Sequence, residues 1–112
     1  MEIRKGRVYI ADLNPRIGTE PGKVRPVVAV QTDLLNGIHP STVICPITTR
    51  VQPKARFLRV HLAKGEGGLK ENSDILVDQI RAIDNRRLVK ATGKISGRSL
   101  EKLARNLRTL LT

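Results

Sequence analysis

The run Pro26-Val27-Val28-Ala29-Val30-Gln31 constrains the fold more than any other stretch of the chain. It is apolar without alternation. As a strand it therefore turns oily side chains to both sides of a sheet and has to be covered on both. Immediately upstream lies Gly18-Thr19-Glu20-Pro21-Gly22-Lys23-Val24-Arg25, a glycine-punctuated loop at 16–24 that feeds the strand. A residue before a proline is biased to extended backbone. Arg25 is therefore expected at the strand edge, held in place rather than carried on a loop tip.

The other short runs repeat this theme. Residues 8–13 read as a strand that Asn14-Pro15 stops, and 42–48 as another. Pro46 inside the second predicts an edge or a bulged strand. Residues 57–62 alternate after their first pair, as a half-exposed strand does. Residues 74–81 form a strand with polar groups crowded at its end, and 88–95 a last strand that Gly93 weakens. Between them come one helical turn at 32–37, a polar basic loop at 49–56, a flexible turn at 64–68 and a turn at 84–87. From Ser96 the period changes. Leu100, Leu103, Leu107, Leu110 and Leu111 fall at helical spacing, and Ser96 or Ser99 can cap the start. Strands joined by turns rather than long helices predict antiparallel pairing in a small, partly open barrel with a C-terminal helix. The 112 residues fit one domain spanning 1–112. Such a chain buries roughly 65% of its unfolded surface. With Tyr9 and Phe57 the only aromatic residues, Val, Ile and Leu have to fill the core.

Charge narrows the function. Lys and Arg number 21 against 10 Asp and Glu, for a net charge of +11. That balance calls for a polyanionic partner: nucleic acid, an anionic membrane surface or an acidic protein. A basic amphipathic helix can lie on a membrane, but this one is short and lacks an aromatic anchor, so no membrane role is expected. Cys45 is the only cysteine, which rules out an internal disulfide and suits a reducing, cytoplasmic setting. Its apolar neighbours make it a buried small hydrophobe.

Cys45, His39 and His61 match no trusted metal-ligand spacing, no G-x-x-x-x-G-K phosphate cradle is present, and no cofactor is expected. The two histidines are the only candidates for a histidine acid/base pair. What remains is basic and hydroxylic: Arg25, Thr48, Thr49, Gln79 and Arg81, each at the end of an expected strand. If those ends converge, they form a nest of donors suited to a phosphodiester and its developing charge. Asp78 is either part of that nest or an ion-pair partner of Arg81. Arg50, Lys54 and Arg56 can track phosphates from their loop. Composition alone also permits a non-catalytic nucleic-acid-binding module on a small barrel.

Four motifs, in order along nearly the whole chain, resemble the MazF/PemK family of ribosome-independent mRNA-cleaving toxins. The first is Lys5-Gly6-Arg7-Val8-Tyr9 with Asp12-Leu13-Asn14-Pro15, and the second Gly18-Thr19-Glu20 with Arg25-Pro26-Val27-Val28. The third is Pro46-Ile47-Thr48-Thr49 and the fourth Asp78-Gln79-Ile80-Arg81-Ala82-Ile83-Asp84. The resemblance implies a mainly β SH3-like barrel, a homodimer, and metal-independent cleavage of single-stranded RNA with the 2′-hydroxyl as nucleophile. It implies Arg25 and Thr48 as the catalytic pair, and an acidic antitoxin as partner. The expected substrate contacts are Glu20, Lys23, Thr49, Arg50, Lys54, Arg56, Asp78, Gln79 and Arg81. The family loop often reads G-x-E-Q-x-G, and Pro21 and Lys23 depart from it.

Overall fold

A computed structural model describes every residue except Arg16 and Pro21. What was expected of the 16–24 loop at those two positions lies outside the described residues. Among the described residues there are seven strands and one α-helix. The strands are β1 (Arg7–Asp12), β2 (Val24–Ala29), β3 (Ser41–Thr48), β4 (Arg59–Leu62), β5 (Ser73–Leu76), β6 (Arg81–Asp84) and β7 (Leu88–Lys94). The helix is α1 (Gly97–Leu111). The strands pair antiparallel in the order β4-β5-β3-β2-β1-β7, with β6 also on β3.

The double burial of β2 follows from this order. Successive side chains point to opposite faces. Val28 joins Val8, Cys45, Ile47, Ile75 and Leu103 in one core, while Val27 and Ala29 join Tyr9, Ala11, Ile44 and Ile83 in a second. Each fully buried Val, Leu or Ile adds about 1.5–3 kcal/mol of transfer free energy, so β2 is held from both sides. Tyr9, the one aromatic in these cores, is fully buried. Its hydroxyl donates to the Glu2 carbonyl at 2.8 Å and accepts from the Arg4 amide at 2.9 Å.

Four expectations need correcting. β3 is central rather than an edge, despite Pro46. The Val30 amide donates to the Val43 carbonyl, so along the antiparallel ladder the Val27–Pro46 pair is a non-hydrogen-bonded one. The proline nitrogen then faces the opposite edge. There β6 pairs up to Ile44 and β5 takes over at Ile47, leaving a gap in which no donor is needed. The strand expected at 74–81 is interrupted by a 3₁₀ turn, Val77–Gln79, which lets one side of β3 hold two short strands. The 64–68 turn is not a loose loop. Gly67 is buried, and a Cβ on Gly68 would stand 2.3 Å from the Thr92 carbonyl. Phe57 and Leu58 stay outside β4 and are exposed.

The helix matches its pattern in part. The Ser96 hydroxyl caps it by accepting from the Ser99 amide at 3.1 Å. Leu103 is fully buried, with Leu100 and Leu107 packed beside it. Leu110 and Leu111 lie beyond the sheet and are exposed. Among the described residues no helix is long and apolar enough to cross a membrane.

Candidate active site

Arg25 is the second residue of β2, inside the strand rather than at its junction, and Thr48 is the last residue of β3. The β2–β3 ladder ends at the Val27–Pro46 pair, and Arg25 and Thr48 each lie two residues beyond it on the two neighbouring strands. Arg25 and Thr48 meet in a cleft of about 430 Å³ whose walls include Thr19, Glu20, Gly22, Lys23, Thr49 and Arg50.

Both side chains are oriented by backbone. Arg25 Nε donates to the Gly22 carbonyl at 2.9 Å, tying the guanidinium to the loop before it. Thr48 Oγ1 accepts from the Arg50 amide at 3.2 Å, which turns the hydroxyl toward the start of the next loop. The β1–β2 connection is closed from below. The Leu13 amide donates to the Lys23 carbonyl, and the Lys23 amide to Asn14 Oδ1. Lys23 adopts φ 67, a left-handed conformation that a side chain normally avoids.

The expected substrate contacts divide by position. Glu20, Lys23, Thr49 and Arg50 line the cleft with the central pair. Asp78 and Gln79 line an adjoining cleft of about 360 Å³ with Gln52, Ala55, Leu58, Arg59 and Leu76, and Thr19 stands at the edge of both. Lys54 and Arg56 are exposed on the 49–58 loop and line neither. Arg81 pairs with Ile44, four residues up β3 from Thr48, and lies outside both clefts. Its Nη1 is buried without a hydrogen-bond partner among the described residues. No ion pair joins Arg81 to Asp78 among the described residues, against that expectation. The two histidines lie toward opposite ends of β3 and form no pair. His39 Nδ1 is held beside Ser41 Oγ before the strand begins, whereas His61 is engaged near its far end. Cys45 is fully buried, and its thiol is pushed up to about 12, by burial first and then by the charge of Asp78.

Three residues to which the sequence assigned no such part, Arg59, His61 and Asp74, hold the basic loop. Asp74 is completely buried. Its Oδ2 accepts from the Gln52 amide at 2.9 Å and from Arg59 Nη1 at 3.0 Å, and its Oδ1 meets His61 Nδ1 at 2.6 Å. The one available signal was a carboxylate set directly before the apolar run Ile75-Leu76-Val77.

Comparison with known proteins adds to this geometry. A family model described as PemK-like, MazF-like toxin of type II toxin-antitoxin system matches residues 4–111. Endoribonuclease EndoA of Bacillus subtilis (strain 168) is 34% identical over 103 residues, covering 92% of this chain and 89% of that protein. Among solved structures, MazF (Form-I) from Deinococcus radiodurans superposes with a TM-score of 0.85 at 24% identity, covering 99% of this chain and 97% of the other. The Mycobacterium tuberculosis toxin MazF-mt6 does so at 0.77 and 21% identity, covering 92% and 93%. These two likenesses are of fold.

Proposed function

The chain belongs to the PemK-like, MazF-like toxins of type II toxin-antitoxin systems, and from that premise we propose that Arg25 and Thr48 are its catalytic pair. It is an RNA-cleaving toxin, an endoribonuclease neutralised by an antitoxin. The observation that supports the site assignment is the meeting of Arg25 and Thr48, from neighbouring strands, in one cleft also lined by Lys23 and Arg50.

The chemistry suits these groups. In-line attack by a 2′-oxygen on the adjacent phosphorus forms the new P–O bond as the bond to the 5′-oxygen breaks. The products are a 2′,3′-cyclic phosphate and a 5′-hydroxyl. Negative charge builds on the non-bridging oxygens on the way. A guanidinium holds two such oxygens in one planar fork, and the Thr48 hydroxyl donates to a third. Arg25 stays protonated throughout, so its part is to hold charge rather than to take the proton. RNA carries its own nucleophile and Arg25 supplies the cation, so the reaction proceeds without a metal ion. Glu20, Lys23, Thr49 and Arg50 contact the nucleotides beside the cut, and Asp78 and Gln79 a base in the adjoining cleft. Lys54, Arg56 and Arg81 act farther along the strand. The protein acts in the cytoplasm, as a homodimer, and an acidic antitoxin segment competes for the same cationic surface.

The test is cleavage of single-stranded RNA in excess chelator. Product ends should be a 2′,3′-cyclic phosphate and a 5′-hydroxyl, and an oligonucleotide with a 2′-deoxy residue 5′ of the cut should survive. Cutting of that deoxy substrate would sink the mechanism. Arg25→Ala should cost about 2.7–4 kcal/mol of transition-state stabilisation, as loss of an oxyanion donor does, in a protein that still folds.

A further inference from the structure

Across the sheet, three polar residues stand in one row. The β4–β5 register pairs His61 with Asp74, the β3–β5 register pairs Asp74 with Thr48, and Thr48 lines one cleft with Arg25. Directly paired residues share a face, so Asp74 is the next group along from the catalytic hydroxyl. It is also the anchor of the 49–58 loop. Asp74 takes the Gln52 amide itself. Arg59, which it holds, donates to the Arg50 carbonyl at 2.9 Å. His61 meets the Ala55 carbonyl through Nε2 at 3.1 Å. Thus three points on the loop backbone trace to one carboxylate. Both ring nitrogens of His61 face oxygen atoms, Nδ1 that of Asp74 and Nε2 that of Ala55. A buried carboxylate paired with a guanidinium is a poor source of stability, because desolvation offsets most of the attraction. What such a cluster supplies is fixed geometry. The loop it fixes is the one that brings Arg50 to the catalytic cleft and Gln52 and Ala55 to the adjoining one.

We propose that Asp74, acting through Arg59 and His61, is the positioning device for RNA on this enzyme. It touches no substrate, and it sets the 49–58 loop against the cleft so that bound RNA meets Arg50 and the loop backbone in register. The inference rests on reading the Arg25–Thr48 cleft as the site of cleavage. Relaxing the clamp should therefore weaken RNA binding and leave the chemical step intact.

Asp74→Asn separates this from bulk electrostatics by sign. It removes a negative charge close to a polyanion site, which by itself tightens RNA binding. It also replaces one of the two carboxylate oxygens by an NH2, which faces either the donors of Gln52 and Arg59 or His61 Nδ1, and so loosens the loop. The probe is a fully 2′-O-methylated single-stranded oligonucleotide, which binds and cannot be cut, with kcat and KM then measured on unmodified RNA. Kd and KM should rise about tenfold, the loss of one or two hydrogen bonds, with kcat changed less than about twofold. Without RNA, trypsin should cut after Lys54 and Arg56 faster than in the wild type. Unchanged or tighter binding with unchanged proteolysis overturns the inference. If Asp74→Asn does not fold, His61→Gln decides alone. That side chain is partly exposed, the change removes one of its two polar contacts, and about a threefold rise in Kd is expected, with no rise overturning the inference. A wild-type protein that cuts RNA beside variants that match it refutes only the clamp. A wild-type protein that neither binds nor cuts RNA refutes the clamp and the reading of the cleft together.

Discussion

Lys23 carries two roles that conflict. Its backbone occupies the left-handed region at φ 67 while the residue lines the cleft. A side chain costs about 1–2 kcal/mol in that conformation, against about 0.5–1 kcal/mol that glycine loses in chain entropy. Lys23→Gly should therefore stabilise the fold by about 0.5–1 kcal/mol in urea titration and at the same time weaken RNA binding. A variant that is both less stable and equally tight contradicts this account. Cys45 gives a pH signature. Its folded thiol is raised from an ordinary 9.0 to about 12, so the stability tied to the neutral thiol is complete below pH 9. It is lost as pH rises from there toward 12, because only the unfolded chain can ionise. At about pH 10.5 the loss should reach roughly 2 kcal/mol relative to Cys45→Val, measured by denaturant unfolding at paired pH values.

At the scale of elements, tight backbone approaches decide what can change. Gly68 adopts φ 75 with its Cα against the Thr92 carbonyl of β7. Gly68→Ala should cost about 2–4 kcal/mol from the backbone clash and the left-handed conformation together, seen as a lower urea midpoint at unchanged slope. This packing was not legible in the sequence, where Gly65, Gly67 and Gly68 spell only a turn. Six of the seven strands were legible as short runs of strand-forming residues, whereas β6 was not, because the 3₁₀ turn at Val77–Gln79 ends the run read at 74–81 and a new strand starts at Arg81. The meeting of Arg25 and Thr48 in one cleft was legible too, since they lie on two neighbouring runs that pair. The placement of β3 was misread because Pro46 speaks of a missing donor and says nothing about which edge lacks one. The Asp74 clamp was invisible for a related reason. Its partners Gln52, Arg59 and His61 are scattered over ten residues of a different segment and become neighbours only through the β4–β5 register.

For the whole molecule, net charge and open apolar surface set the associations. Three to five phosphate contacts from Lys23, Arg50, Lys54 and Arg56 and their neighbours give a log–log salt slope of about −2 to −3.5 for single-stranded RNA, to be read from binding at several ionic strengths. Charge reversal at Lys54 and Arg56 together should weaken RNA and an acidic antitoxin segment in parallel while the fold persists. If antitoxin affinity holds while RNA affinity falls, the two ligands use different surfaces. Val24, Val89, Leu110 and Leu111 leave large apolar side chains in solvent, and light scattering should find about twice the 12.4 kDa chain mass. A monomer at micromolar concentration refutes the dimer. The proposed catalytic pair stands on the neighbouring strands β2 and β3, whereas the groups around it come from two separate connections, before β2 and at 49–58. Cutting and choosing where to cut are thereby written in different parts of the chain. Directed evolution toward a new cleavage sequence should accumulate its changes in those two connections and leave the strands untouched, so that one catalytic frame can serve many RNA vocabularies.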